Sequence, residues 1–215
     1  MKIKKISIFD KEYPENLKCI YDPPMKLYVA GDYKLLNEFK IAIIGCRNCT
    51  EYGRKSATKF ASELAQKNTI IVSGLARGID SFAHNACINS GGKTIAVIGS
   101  GLDVIYPKEN RWLYKKIIDT GGAIVSEYPL GTKPLKYHFP ARNRIISALS
   151  DGVLVIEAKE KSGTLITVDF ALDQGKNVFV IPGNINSENS RGTNNLIKEG
   201  AKLVQSVADI YEEYN

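Results

Sequence analysis

The sequence predicts an α/β fold in which a doubly wound, mostly parallel sheet carries helices on both faces. From Lys40 onward, short apolar runs alternate with longer segments that have the apolar spacing of helices. Most of the short runs are rich in Ile and Val, as is typical of strands that are covered on both faces of a parallel sheet. Because the alternation continues almost to the end of the chain, we expect right-handed crossovers throughout, in an order that the pattern does not specify.

The apolar runs predict seven strands, at residues 41–44, 70–73, 94–98, 123–125, 153–156, 178–181 and 202–204. The segments between them predict helices at residues 53–67, 79–90, 109–120, 142–149, 163–174 and 194–199. Ser206 and Asp209 have the spacing of a capping box, which predicts a short final helix.

Residues 1–38 lie before this alternation begins. They contain the turn signals Tyr13-Pro14 and Asp22-Pro23-Pro24 and a short strand candidate at residues 26–30. We therefore expect an N-terminal appendage at residues 1–38 that packs on the core, and an α/β domain at residues 39–215.

The composition is that of a globular protein and excludes several other classes. Of the 215 residues, 44% are hydrophobic and 24% are charged, which are near the globular averages. No apolar run approaches the length of a membrane span, and Asp10 interrupts the only candidate for a signal-peptide core. With only four cysteines and no export signal, we expect a cytoplasmic protein without membrane partners.

Small and polar residues follow several predicted strands, at the edge of the sheet where α/β proteins bind ligands. Glycine lets backbone N–H groups approach an anion closely, and a helix N-terminus favours negative charge. The strand ends therefore predict contacts to phosphate from Gly45, Arg47, Ser73, Gly74, Arg77, Gly99, Ser100, Gly101, Ser162, Gly163 and Thr164. The dinucleotide fingerprint fails because Val104 replaces its third glycine, and no Walker A motif occurs, so no nucleotide cofactor is expected.

The most uneven distribution of charge lies between Tyr128 and Ser150, where no acidic residue occurs although the whole chain has a net charge of only +6. Cations interleaved with aromatic rings are typical of single-stranded nucleic-acid binding, because bases stack on the rings while cations follow the phosphates. The predicted contacts are Lys136, Phe139, Arg142, Asn143 and Arg144. We expect extended backbone at Phe139 because proline follows it. The alternative is a solvated basic loop whose Phe139 fills the core.

Two further interpretations receive less support. Cys46, Cys49, His84 and Cys87 could together form a tetrahedral zinc site, but Cys46 lies in a loop whose Gly and Arg favour anion contact. We therefore expect reduced thiols and no metal. No nucleophile elbow, zinc-protease motif or paired-carboxylate motif occurs, so familiar hydrolytic machinery is not indicated.

The motifs resemble those of the DNA-processing protein A family, also called DprA or Smf. The resemblance runs from about Tyr13 to Ile210, and is carried by Ile41-Ala-Ile-Ile-Gly-Cys-Arg47, Ser73-Gly-Leu-Ala-Arg-Gly-Ile-Asp80, Gly99-Ser-Gly-Leu-Asp-Val-Ile-Tyr-Pro107 and Phe139-Pro-Ala-Arg-Asn-Arg-Ile-Ile146. It implies an extended Rossmann-like domain that binds single-stranded DNA. It also implies a homodimer that protects incoming DNA and helps to load the recombinase RecA during natural transformation. Members commonly carry an additional domain before or after this core, and we expect neither here.

The same superfamily includes the cytokinin-activating phosphoribohydrolases, whose signature P-G-G-x-G-T-x-x-E supplies a catalytic glutamate. When that signature is aligned on Gly163 and Thr164, Thr167 occupies the glutamate position and Asp169 lies nearby. The resemblance therefore implies a protein that is not an enzyme. A nucleotide phosphoribohydrolase remains the alternative.

Overall fold

One mixed sheet of nine strands organises residues 3–214, the part of the chain that the computed structural model describes. Its strands are β1 (Ile3–Ser7), β2 (Lys26–Gly31), β3 (Lys40–Ile44), β4 (Ile70–Ser73), β5 (Thr94–Val97), β6 (Ala123–Ser126), β7 (Gly152–Val155), β8 (Asn177–Val180) and β9 (Lys202–Leu203). Their order across the sheet is β1-β2-β6-β5-β4-β3-β7-β8-β9. Strands β3 to β9 run parallel, while β1 and β2 pair antiparallel with each other and β2 pairs antiparallel with β6.

Helices cover both faces of this sheet. They are α1 (Glu15–Lys18), α2 (Glu51–Gln66), α3 (Ile79–Asn89), α4 (Arg111–Asp119), α5 (His138–Leu149), α6 (Gly163–Asp173), α7 (Glu188–Lys198) and α8 (Val207–Tyr211). Helices α2, α3, α4 and α8 pack on one face, and the remaining four pack on the other. Among residues 3–214, no helix combines the length and the apolar character needed to cross a bilayer.

The predicted fold class is confirmed, and each of the seven predicted strands forms at nearly the predicted residues. The capping box at Ser206 is also present, with both of its hydrogen bonds. Residues before Lys40 supply β1, α1 and β2, and β2 extends the sheet by pairing with β6. The division of the chain at residue 38 stays a prediction.

The expectation of extended backbone at Phe139 is wrong. Helix α5 begins at His138, four residues before the predicted start, so Phe139 lies in its first turn. Proline is tolerated at this point because the first N–H groups of a helix have no intrahelical partner. Pro140 therefore continues the helix, and the preceding Phe139 follows its geometry.

Candidate nucleic-acid interface

A cleft of about 680 Å³ opens at the carboxyl edge of the parallel strands. It lies at β3, which has β4 on one side and β7 on the other. The crossover connections therefore proceed to opposite sides of β3. Such a switch point is where α/β sheets bind ligands. The cleft brings together nine of the predicted site residues, which are Gly45, Arg47, Lys136, Phe139, Arg142, Asn143, Ser162, Gly163 and Thr164.

An aromatic side chain and a guanidinium form one wall of the cleft. Arg47, which is exposed just beyond β3, lies with its guanidinium carbon 5.8 Å from the centre of the Phe139 ring. The Tyr106 ring approaches the same ring, with 5.5 Å between the centroids. Phe139 is half-buried, so it is neither a core residue nor fully solvated. A flat apolar group beside a cation is the combination that binds a base and its phosphate.

The N-terminus of α6 forms the opposite wall. Ser162 precedes the helix, Gly163 and Thr164 begin it, and all three line the cleft. The N–H groups of a first helical turn lack intrahelical acceptors and carry partial positive charge. Ser162 Oγ is buried without a hydrogen-bond partner among the described residues. Asn143 Nδ2 reaches this wall from α5 and donates to the Gly163 carbonyl, at 3.3 Å. This wall can therefore accept an anion.

Arg142 forms the floor of the cleft and is held by the protein itself. Its guanidinium donates to the Gly74 carbonyl at 2.7 Å and to the Val97 carbonyl, and the residue is 5% exposed. Burial lowers the pKa of Arg142 to about 10, against the opposing effect of the nearby Asp80 carboxylate. A Cβ at position 74 would lie only 2.7 Å from the guanidinium, so the close packing requires glycine there.

Asp80, from the first turn of α3, completes this floor. Its Oδ2 accepts hydrogen bonds from the N–H groups of Gly74 and Ala76, at 3.1 and 3.3 Å. Burial raises the pKa of the Asp80 carboxyl, and the Arg142 charge and these hydrogen bonds oppose that rise. The pair fixes the loop after β4 against α5.

Arg144 lies outside the cleft, although its position in the acid-free stretch predicts a DNA contact. Its Nη1 and Nη2 donate to the two carboxylate oxygens of Glu127, at 2.9 and 2.8 Å. Its Nε donates to the Asp22 carbonyl at 2.9 Å, and the residue is 8% exposed. The bidentate pair ties α5 to the end of β6, and the hydrogen bond to Asp22 ties α5 to the segment before β2. The fold thus uses Arg144 in the interior, and its contact with DNA stays a prediction.

The remaining predicted residues hold loops in place around the cleft. Ser73 Oγ donates to the Ile43 carbonyl, and Ser100 Oγ donates to the Val104 carbonyl, both at 2.7 Å. The Gly101 N–H donates to the Thr132 carbonyl at 2.9 Å, and Gly99 lies buried against α5. Arg77 is exposed and pairs with Glu109 beside the cleft.

The cysteines and His84 do not come together. Cys46 lines the cleft, whereas Cys87 Sγ donates to the Lys93 carbonyl in the core at 3.2 Å. His84 is fully buried, and its Nδ1 lies 2.6 Å from Thr94 Oγ1. Across residues 3–214 there is no group of three or more potential metal ligands. Burial raises the pKa of the Cys46 and Cys87 thiols, the latter to about 12.

Sequence reasoning missed several residues that line the cleft, among them Asn48, Asp80, Tyr106 and Lys159. Lys159 Nζ forms an ion pair with Glu188 at 2.9 Å and presents a cation near the α6 terminus. Its position just after β7 is a signal that could have identified it. Thr167 lines the cleft and is buried, whereas Asp169 is exposed and is not among the lining residues.

Comparison with known proteins shows the family to which the chain belongs. The family model described as DNA recombination-mediator protein A matches residues 4–215. The DNA processing protein DprA of Streptococcus pneumoniae is 49% identical over 213 residues, which cover 99% of this chain and 75% of that protein.

Two solved structures of such proteins superimpose closely. The X-ray structure of the S. pneumoniae protein matches with a TM-score of 0.93 and 50% identity, over 99% of this chain and 74% of that one. The DNA processing protein A of Helicobacter pylori, described with its single-stranded DNA binding mode, matches with a TM-score of 0.89 and 35% identity, over 99% of this chain and 95% of that one. The chain therefore belongs to the DNA recombination-mediator protein A family.

Proposed function

We propose that the chain is a recombination mediator that binds single-stranded DNA in the cleft, protects incoming DNA and helps to load the RecA recombinase during natural transformation. The observation that carries this proposal is the pairing of Arg47 with Phe139, opposite the N-terminus of α6. A base stacks on the Phe139 ring while its phosphates contact Arg47, Lys136 and the backbone of Gly163. The reported single-stranded DNA binding of the H. pylori protein supports this choice of ligand.

The geometry favours a single strand over a duplex. A single strand can turn a base toward Phe139 while its backbone follows the cations, whereas a duplex hides its base faces in the stack. The hydrogen-bond donors that contact phosphate and the ring that stacks with a base do not distinguish one base from another. We therefore expect binding with little sequence preference and with a strong dependence on salt.

The test is a salt-titrated binding measurement with fluorescent single-stranded and double-stranded oligonucleotides of the same sequence. The single strand should bind more tightly at every salt concentration, and its affinity should fall linearly with salt on logarithmic axes. Lys34→Ala is the matched control for Arg47→Ala, because Lys34 is an exposed cation just beyond β2, at the opposite edge of the sheet. Equal affinity for the duplex, or equal losses in the two variants, would contradict the proposal.

The recombinase role requires a second measurement. Assembly of RecA on single-stranded DNA should accelerate when the chain is added, and Arg47→Ala should reduce that acceleration. We also propose that the chain acts as a cytoplasmic homodimer, which sedimentation equilibrium tests directly. A monomer at micromolar concentration, or RecA assembly that is unaffected by the chain, would refute these parts separately.

We further propose that no bond is broken. The phosphoribohydrolase alternative needs a carboxyl group where Thr167 stands, and general acid–base help is typically worth 10²–10⁴-fold. Asp80 is the sole carboxylate among the described residues of the cleft, and it is engaged by Gly74, Ala76 and Arg142. Incubation with nucleoside monophosphates should release no free base. Release that Asp80→Asn or Asp169→Asn abolishes would establish the enzyme instead.

A further inference from the structure

Helices α3 and α4 pack side by side, and we call the polar surface along their contact the groove between α3 and α4. Lys116 of α4 crosses it and donates to the side-chain oxygens of Asn85 and Asn89 on α3, at 3.2 and 2.8 Å. The apolar side of α4 faces the core through Leu113 and Ile117, and Lys116, which directly precedes Ile117, borders the groove from the flank of the helix. Amides and an ammonium group along one groove form a set of hydrogen-bonding groups suited to a polar, anionic chain.

Trp112 stands on the same side of α4, and its indole remains in solvent. The residue is 53% exposed, and Lys116 Nζ, one helical turn later, lies 5.9 Å from its ring centre. It is the single tryptophan of the sequence. An exposed indole beside a cation repeats the arrangement of Phe139 and Arg47 in the cleft.

The groove begins beside residues that line the cleft. Ala76 lines the cleft, and its neighbour Arg77 pairs with Glu109 at the start of the groove. Asn110 Nδ2 donates to the Leu75 carbonyl at 2.8 Å and to the Ala76 carbonyl at 3.2 Å, which fixes the beginning of α4 against the loop after β4. Tyr106, which lines the cleft and contacts Phe139, lies shortly before this point in the chain.

The charge of the α4 segment favours an anionic occupant. Between residues 108 and 116 there is one carboxylate against four cations, Lys108, Arg111, Lys115 and Lys116. Three of these cations are exposed and Lys116 is half-buried. Neighbouring cations bind a phosphate backbone, and an exposed aromatic ring stacks with a base. The charge and the ring therefore both favour single-stranded nucleic acid as the ligand.

We propose that the groove between α3 and α4 binds the continuation of the single strand that occupies the cleft, with Trp112 as a second stacking platform. Phosphates of that continuation pass Arg77 and Lys116. This inference rests on the proposed single-stranded DNA binding of the cleft. It adds the path that a longer strand follows when it extends beyond the cleft. It predicts that affinity rises with strand length beyond what the cleft alone accommodates.

The experiment compares oligothymidylates of about 4 and about 20 nucleotides, which bracket the site sizes of single-strand-binding folds. Trp112→Ala should weaken binding of the long strand about tenfold, the expected loss of one stacked base, and leave the short strand unchanged. Trp112→Phe should restore most of the loss. In the unmodified protein, tryptophan fluorescence should be quenched by the long strand and not by the short one.

Arg47→Ala separates this inference from the function on which it rests. If Arg47→Ala weakens both lengths while Trp112→Ala changes neither, the groove is not a DNA site and the cleft still is. If the unmodified protein binds neither length, the proposed function itself fails. A Trp112→Ala protein that binds both lengths normally but no longer accelerates RecA assembly would assign this face to a protein partner, and overturn the inference. Lys116→Ala serves as the second variant, and should also weaken only the long strand.

Discussion

Replacing Arg144 by alanine should destabilise the fold and leave the cleft intact. Arg144 makes a bidentate pair with Glu127 and a hydrogen bond to the Asp22 carbonyl, and it is 8% exposed. Its removal leaves the half-buried Glu127 carboxylate without its partner. Removing one member of a buried ion pair costs about 3–5 kcal/mol, because the remaining charge stays desolvated.

That cost converts into a measurable change in Tm. With an unfolding entropy of about 2.1 cal/mol/K per residue, a chain of this length has about 450 cal/mol/K. A loss of 3–5 kcal/mol then lowers Tm by about 7–11 °C. Calorimetry of the Arg144→Ala protein gives this shift, and single-stranded DNA affinity is measured well below the lowered Tm. We expect unchanged affinity there.

The double variant Arg144→Met/Glu127→Met is the control for this reasoning. Because it removes both charges and keeps much of the buried volume, it should recover part of the lost stability. A Tm that is unchanged in Arg144→Ala, together with weakened DNA binding, would refute the structural role. It would restore Arg144 as a DNA contact, which is the role that the sequence predicts.

Three further predictions concern the cleft and the core. Phe139→Ala should weaken single-stranded DNA about ten- to hundredfold through lost stacking, and a lowered Tm with intact binding would make Phe139 a packing residue instead. Arg47→Ala should weaken all sequences alike and reduce the salt slope by about 0.7, and a slope equal to that of Lys34→Ala would exclude a phosphate contact. Burial lowers the pKa of His84 to about 3 in the folded protein. As the pH falls, the His84 imidazole is therefore protonated in the unfolded chain before it is protonated in the folded one. Denaturant unfolding should therefore show stability falling from about pH 7 toward pH 3 by at most about 1.4 kcal/mol per pH unit from this group, and His84→Gln should have a shallower slope.

Periodicity could predict the parallel part of the fold because its strands are apolar throughout and its helices are long. It could not find β1, where Lys4 and Lys5 interrupt a strand of five residues at the sheet edge. It also could not predict that β2 pairs with β6, since these strands lie almost a hundred residues apart. Such pairing depends on which edge of the sheet remains open after the crossovers have formed. The sequence predicts the start of α5 at residue 142, after Pro140, because proline breaks the interior of a helix. The helix begins at His138 instead, since proline is tolerated in the first turn.

The candidate site was predictable in part for a related reason. The rule that ligands bind beyond the carboxyl ends of strands selected Gly45, Arg47 and the turn at residues 162–164, and all of them line the cleft. It selected Ser73 and Ser100 equally, yet the Ser73 hydroxyl donates to the Ile43 carbonyl of β3, and the Ser100 hydroxyl donates to the Val104 carbonyl of its own loop. The sequence marks a strand end, but the packing of the neighbouring loops determines whether that end is open.

The acid-free stretch shows most clearly how packing alters the meaning of charge. Its two arginines are neutralised by carboxylates outside the stretch, Arg144 by Glu127 and Asp22, and Arg142 in part by Asp80. Counting charges within a sequence window cannot detect such partners. Of its cations, the stretch therefore leaves only its two lysines exposed, and the guanidinium that approaches Phe139 comes from the loop after β3. Because the two halves of the site lie about ninety residues apart in the sequence, single-stranded DNA binding in our proposal depends on the parallel sheet that places them at one edge.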